Sequence, residues 1–153
     1  MSSELFVPED FAVPDGLIAD GFRLEPLGPQ HNEADYAAWT ASVGHIRATP
    51  GFAGRSWPRE MTLEQNLRDL ERHAHDFAGR RGFTYTVLDA GTGGVIGCVY
   101  IYPAQGGRGR RHAAVRSWVH GDRAEFDAAV YDAVLAWLEQ DWPFHAIEYT
   151  ART

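Results

Sequence analysis

The sequence predicts one α+β domain, with a mixed and mostly antiparallel sheet, helices on both faces, and one parallel strand–helix–strand unit near its C-terminus. The length of 153 residues suits a single domain. In three segments apolar residues recur at intervals of three and four, which is typical of amphipathic helices. Around these segments the period falls to two, which is typical of strands. We expect residues 1–21 to form an extended lead-in and residues 22–153 to form the domain.

The first half of the domain predicts a strand followed by two helices. Residues 22–27 alternate between apolar and polar side chains, and the proline among them favours a terminal strand. Residues 32–49 carry apolar side chains at helical spacing. A second helix is predicted to begin at Thr62, because Thr62 and Gln65 have the spacing of a capping box.

The second half predicts a hairpin, a third strand, a helix and a final strand. Their ranges are 83–88, 95–102, 112–120, 122–141 and 145–150. Three consecutive strands joined by short loops favour an antiparallel meander. The last strand–helix–strand unit requires a parallel crossover. The sheet is therefore expected to contain one parallel pair, near its C-terminal end.

Charge and composition narrow the function classes. The chain has 21 acidic and 14 basic residues, and every basic residue is arginine. A net charge of −7 argues against a nucleic-acid or acidic-membrane binder, because both need a positive surface. The absence of lysine excludes Schiff-base chemistry and a phosphate-loop lysine. The sequence has no long apolar run and no basic, apolar leader, so we expect a cytoplasmic protein.

No metal site is expected, although the chain has seven histidines. His73 and His75 lie two positions apart on a predicted helix, which directs them to different faces. The other histidines lack the spacing of metal ligands. The single cysteine excludes a cysteine-based zinc site.

The order of the elements and several short segments carry a resemblance to a known family. The segments are FRLEPL at 22–27, DYAAW at 35–39 with Ser42, FTYTVL at 83–88, VIGCVYI at 95–101, and the strand–helix–strand unit from Val115 to Tyr149. With them the chain resembles the GNAT superfamily of acetyl-CoA-dependent N-acetyltransferases, in the branch that acetylates ribosomal-protein N-termini. The resemblance implies transfer of acetyl from acetyl-CoA to a primary amine of a small molecule or a protein N-terminus.

The resemblance also implies where acetyl-CoA binds. The backbone of Ser117, Trp118 and Val119 would pair with the pantetheine arm and polarise the thioester carbonyl. The pyrophosphate would lie at the start of the next helix, where backbone N–H groups and the helix dipole favour anions. Arg123 and Ala128 match the phosphate-binding pattern of the family at that position.

Two departures from the family pattern open an alternative function. Phe126 stands where the family has glycine, and Asp122, Glu125 and Asp127 bring carboxylates that would repel a diphosphate. An ion pair with Asp122 is the competing interpretation of Arg123. The family also continues past the final strand, where only three residues follow here. The alternatives are a binding or structural protein that no longer binds CoA, and a homodimer that completes the sheet.

A small set of residues supplies candidates for the catalytic groups. His120, after the third strand, is the preferred general base, because imidazole titrates near neutral pH. His112 and Glu148 are the other candidate bases, and Tyr149 on the last strand is the candidate general acid. The competing interpretations are a surface histidine after a strand and a strand tyrosine that packs with its hydroxyl at the surface.

One basic cluster stands out in the acidic chain. Arg108, Arg110, Arg111 and Arg116 form it. Such a cluster suits the 3′-phosphate of CoA, an acidic substrate or RNA, and a solvated hairpin tip is the competing interpretation. Trp57, in a loop beside a proline, is the one tryptophan that is not expected to be a core anchor.

Overall fold

The computed structural model describes residues 5–105 and 111–152 of the chain. Within them lie β1 (Leu17–Ile18), β2 (Phe22–Pro26), α1 (Asn32–Thr40), α2 (Val43–Ala48), α3 (Leu63–Ala78), β3 (Phe83–Asp89), β4 (Val95–Pro103), β5 (His112–Val119), α4 (Asp127–Asp141) and β6 (Ala146–Tyr149). Two 3₁₀ turns, Pro29–His31 and Gly121–Phe126, precede α1 and α4. The α+β class is as predicted.

The strands form one sheet in sequence order, β1 to β6. Neighbouring strands are antiparallel except β5 and β6, which are parallel. Both the meander and the single parallel pair were therefore predicted correctly. Gly97 is needed where β4 meets β5, because a Cβ there would lie 2.4 Å from the carbonyl oxygen of Trp118.

Helices cover both faces of the sheet, each over its own core. On one face α4 packs against the central strands, with Val130, Val134, Leu138, Tyr85 and Val99 in the core. On the other face α1, α2 and α3 supply Trp39, Ile46 and Leu70, which pack with Cys98 and Trp118 of the sheet. Successive side chains along β4 and β5 point to opposite faces, so they contribute alternately to the core under α4 and to the core under α1, α2 and α3.

Three features differ from the sequence-based expectation. The helix predicted over 32–49 is two helices, α1 and α2, and the break is tied to a distant turn. Ser42 at the break donates to the carbonyl of Ala38 and accepts from the N–H of Gly121 at 3.0 Å. The short strand β1 was not predicted, and the helix predicted from 122 begins as a 3₁₀ turn.

The lead-in segment takes part in the core. Residues 5–21 are mostly irregular, as expected, but Phe6 and Val7 are buried among the residues under α4. Phe6 stacks on Phe83 and Phe144. Isolated apolar residues of the lead-in therefore pack one by one into the core, although they do not recur with the spacing of a helix or a strand.

Candidate functional site

The first component of the site is a gap between β5 and β6. Their pairing ends at Val115 and Tyr149, while β5 continues to Val119. Neighbouring residues of a strand direct their backbone groups to opposite sides. The His120 N–H donates to the carbonyl of Ile96 on β4 at 2.8 Å. Residues two positions apart direct their backbone groups to the same side. The backbone N–H and C=O of Trp118 therefore also face β4, whereas those of Ser117 and Val119 face the gap.

The gap is filled by a side chain that sequence reasoning did not single out. Arg152 donates to the Ser117 carbonyl at 2.7 Å and to the Asp127 carboxylate at 2.9 Å. Its guanidinium also lies 5.6 Å from the ring centres of Tyr131 and Tyr149. Only 5% of the Arg152 side chain is exposed. No motif surrounds this arginine, so only the folded chain shows that it occupies the gap.

Tyr149, the predicted general acid, lies in the gap. Its hydroxyl is 2.5 Å from the Ser117 hydroxyl. Burial raises the pKa of Tyr149 well above its usual range, with the Ser117 hydrogen bond opposing that shift. The phenol is therefore neutral at physiological pH and carries a proton that it can donate.

The two other predicted catalytic positions lie elsewhere. Glu148 alternates with Tyr149 along β6 and so points to the opposite face. It is largely exposed and pairs with His112 Nε2 at 2.7 Å. His120 Nδ1 accepts the N–H of Asp122 at 3.0 Å, so this histidine caps the 3₁₀ turn that leads into α4. Its role as a base stays a prediction.

The residues predicted to hold the pyrophosphate are engaged within the chain. Arg123 pairs with the carboxylate of Asp89, not with Asp122. Backbone N–H groups of the following turn, together with Arg123, hold the pKa of Asp89 below its usual range. Phe126 packs edge-on against Phe22 at 6.1 Å, and Ala128 is exposed on α4. The start of α4 is thus a packed corner, and it fits a diphosphate only after rearrangement.

The second component is a cavity of about 430 Å³ on the face covered by α1, α2 and α3. Aromatic rings of Phe52, Trp57 and Tyr100 form part of its wall. Trp57, which had not been expected to be a core anchor, thus lines the cavity. Arg116 also lines it, and Ser117 follows it directly on β5, so the cavity and the gap meet at one strand.

A hydrogen-bonded row of side chains lies on the α3 side of the cavity. His73 Nδ1 lies 2.9 Å from the Tyr102 hydroxyl and 3.1 Å from Thr84 Oγ1. Tyr102 donates to the Asp76 carboxylate at 2.8 Å. Because the tyrosine proton is used in that bond, the tautomer of His73 that carries its proton on Nδ1 can donate to Tyr102, and in that tautomer Nε2 keeps its lone pair. Burial lowers the pKa of His73 to about 4, so the ring is neutral at physiological pH.

Sequence reasoning considered His73 only as a metal ligand and missed this arrangement. The available signal was the spacing of His73 and Asp76, three positions apart on one helix face. Their meeting with Tyr102 depends on the packing of α3 on β4, which no local pattern shows. Among residues 5–105 and 111–152 no group of three or more potential metal-ligating side chains is present.

The predicted arginine cluster is not one feature of the described chain. Arg108 and Arg110 lie outside the described residues. Arg111 donates to the carbonyl of Leu5 at 3.2 Å, and Arg116 points into the cavity. In the part of the chain that the structure covers, no helix is long and apolar enough to cross a membrane.

Solved structures with the same architecture are acetyltransferases. RimJ of Mycobacterium smegmatis, solved with CoA-disulfide, matches with a TM-score of 0.67 and 18% identity, over 92% of this chain and 67% of its own. The ribosomal-protein-S5-alanine acetyltransferase of Vibrio fischeri matches with a TM-score of 0.62 and 11% identity, over 80% and 66%. The chain has the GNAT fold.

A third structure with this GNAT fold was solved with a bound acyl donor. The microcin C7 self-immunity acetyltransferase MccE, in complex with acetyl-CoA and AMP, matches with a TM-score of 0.61 and 12% identity, over 84% of this chain and 67% of its own. The chain spans about two thirds of the length of these proteins. No protein-family model matches the sequence, and no curated protein matches it.

The buried carboxyl of Asp35 at the cavity predicts a pH-dependent stability. Burial raises its pKa to about 6 from 3.8, with Asn66 opposing that shift by a hydrogen bond at 3.2 Å. Because the folded-state pKa is raised, the contribution is most favourable below pH 3.8 and is lost as the pH rises through about 6. Asp35→Asn should therefore raise the free energy of unfolding by about 2 to 3 kcal/mol at pH 7.5.

Urea unfolding of both proteins between pH 4 and pH 8 measures this effect. The gain should be mostly lost by pH 4, where the carboxyl is protonated in the folded protein, and should vanish below pH 3.8, where it is protonated in both states. Glu33→Gln, on the exposed side of the same helix, is the matched control and should change little. A gain that is constant with pH would show that Asp35 is not buried as a carboxylate.

Proposed function

We propose that the chain is an N-acetyltransferase that moves acetyl from acetyl-CoA to a primary amine. The observation that carries the proposal is the end of pairing between β5 and β6 at Val115 and Tyr149. It leaves the backbone of Ser117 and Val119 facing a gap. A pantetheine arm can pair there as an extra strand would, with its thioester beside the cavity wall.

The chemistry is a direct transfer. The amine nitrogen attacks the thioester carbonyl carbon, the C–N bond forms and the C–S bond breaks. We assign the removal of the amine proton to His73, which lines the cavity. Backbone N–H groups at the gap would stabilise the oxyanion, and the phenol of Tyr149 would protonate the departing thiolate. His120 and Glu148 are the alternative bases, but His120 Nδ1 already accepts the N–H of Asp122 and Glu148 already pairs with His112.

Arg152 must leave the gap for acetyl-CoA to bind. Its guanidinium is hydrogen-bonded to the Ser117 carbonyl and the Asp127 carboxylate, so acetyl-CoA competes directly with the arginine for this place. Arg123 would have to exchange Asp89 for the pyrophosphate in the same way. Once Arg152 has left, the unpaired backbone of Ser117 and Val119 offers hydrogen-bonding groups to the donor, whereas the corner at the start of α4 must rearrange as well.

Removing the Arg152 side chain should tighten acetyl-CoA binding. We expect a micromolar dissociation constant for the wild-type protein and about threefold to tenfold tighter binding for Arg152→Ala, which corresponds to one net hydrogen bond. Calorimetric titration measures both values. Arg81→Ala, on a half-exposed arginine of the loop after α3, is the control and should bind as the wild type does.

A second candidate function is a binding or structural protein that retains the fold without using CoA. The observation that favours it is the same Arg152 contact, which satisfies the exposed strand without a ligand. Phe126 supports it, because its ring packs on Phe22 where the family has glycine. If neither the wild type nor Arg152→Ala shows heat with millimolar acetyl-CoA, acyl transfer is refuted and this candidate stands.

His73→Asn should separate chemistry from donor binding. Asparagine can still donate to Tyr102 but has no basic nitrogen, so we expect kcat to fall by about a hundredfold with the acetyl-CoA affinity unchanged. Release of the CoA thiol, followed with a panel of primary amines and N-terminal peptides, measures turnover. His75→Asn, exposed on the same helix, is the control. Equal turnover by both variants would contradict the role of His73.

The acceptor class and a homodimer remain proposals. The cavity of about 430 Å³ suits a small molecule or the first residues of a peptide. β6 is the outer strand of the described sheet, so a second copy of the chain can pair at that edge.

A further inference from the structure

Arg116 has an unusual environment in the cavity wall. Its guanidinium carbon lies 5.2 Å from the ring centre of Phe52 and 5.4 Å from that of Tyr100. Among residues 5–105 and 111–152 no carboxylate lies within ion-pair distance of it. Two rings thus hold the cation, and its N–H donors have no anionic partner among these residues.

The position of Arg116 is built by the local sequence. Phe52 ends a turn closed by its N–H donating to the Thr49 carbonyl at 3.1 Å. The Pro-Gly pair inside this turn is typical of type II turns, and Gly51 has the positive φ of 99° that they require. A Cβ at Gly51 would lie 3.4 Å from Arg116 Cγ, so the turn touches the arginine stem. The guanidinium is therefore held in place before any ligand arrives.

The carboxylates that line the same cavity already have partners. Asp69 pairs with Arg72 at 3.0 Å, and Asp76 accepts from Tyr102 at 2.8 Å. Asp35 accepts from Asn66 and is buried. Two of the three carboxylates thus have cationic partners, Arg72 and Arg81, whereas Arg116 has no carboxylate partner among the described residues, although the chain as a whole carries −7.

Burial of a cation without a counterion is unfavourable unless a ligand supplies one. Burial lowers the pKa of Arg116, and the charge of Arg55 nearby adds to that shift. A second positive group beside an unpaired guanidinium is costly in the empty protein, and it strengthens the binding of an anion. A planar guanidinium matches the two oxygens of a carboxylate or phosphate.

We infer that Arg116 binds an oxyanion on the acceptor, so that the substrate is a small amine that also carries a carboxylate or phosphate group. The inference rests on the proposed acetyl transfer for the amine, whereas the anion site itself does not depend on it. The rings of Phe52 and Tyr100 flank the guanidinium, and Trp57 packs against both rings, which favours an apolar or aromatic spacer between the two groups of the ligand. The neutral His73 also packs against Tyr100, with the ring centres 5.7 Å apart, and the amine end of the ligand is expected there.

Binding of simple acids tests the anion site without acetyl-CoA. The probes are 3-phenylpropionate, phenyl phosphate and the uncharged 3-phenylpropanol, titrated into the full-length protein by calorimetry. At least one acid should bind the wild type about tenfold or more tightly than the alcohol. Arg116→Gln should lose that preference and Arg116→Lys should keep part of it. Arg68→Gln, exposed on α3 outside the cavity, is the control.

The outcomes separate this inference from the proposed function. The acid that binds identifies the group as carboxylate or phosphate. If neither acid binds better than the alcohol, or if Arg116→Gln keeps the preference, the anion site is refuted. If Arg116→Gln does not fold, the comparison of acids with the alcohol on the wild type and on Arg116→Lys decides. Anion binding without any acetyl-CoA binding would refute acetyl transfer and leave the site standing.

Turnover supplies the second test. Phenylalanine and 2-phenylethylamine differ by one carboxylate, so kcat/KM should be about tenfold or more higher for phenylalanine in the wild type if the group is a carboxylate. O-Phosphoethanolamine and ethanolamine make the same comparison for phosphate. Arg116→Gln should abolish the preference mainly through KM. A wild-type enzyme that acetylates 2-phenylethylamine as well as phenylalanine, and ethanolamine as well as O-phosphoethanolamine, would overturn the inference.

Discussion

The site depends on the point where backbone pairing between β5 and β6 stops. Buried backbone groups need partners, so a strand that leaves its neighbour must be paired by something else. Here the guanidinium of Arg152 takes that place at the Ser117 carbonyl. In the proposed reaction the pantetheine arm takes it instead. The same unpaired strand thus accounts both for the proposed acyl-donor site and for the arginine contact that occupies it.

The arginines show why a net charge describes this chain poorly. Arg152 and Arg123 are each held by a carboxylate, Asp127 and Asp89, at the places where the donor would bind. Arg116 is held by aromatic rings and has no carboxylate partner among the described residues. An acidic protein therefore presents, inside its cavity, a cation held between two rings without a carboxylate partner among the described residues. Local pairing, and not the total, decides which ligand each region favours.

Much of the fold could be predicted from the sequence, because apolar periodicity and turn residues mark each element locally. The resemblance indicated Ser117, and the position of Tyr149 on the last predicted strand made it a candidate acid; the structure brings their hydroxyls to 2.5 Å. The sequence did not indicate Arg152 or the contact of His73 with Tyr102, since both join elements far apart in the chain. The two-residue strand β1 carries too short a pattern to be recognised. Contacts between side chains that are far apart in the sequence were thus the part of the site that could not be predicted.

Backbone amide exchange measured residue by residue tests the central claim, that the gap is the donor site. Acetyl-CoA should slow the exchange of the Ser117 and Val119 amides by about tenfold or more, because each gains a hydrogen bond. The Trp118 amide, which faces β4, should change little. Unchanged exchange at Ser117 and Val119 with saturating acetyl-CoA, or slowing elsewhere only, would contradict the account.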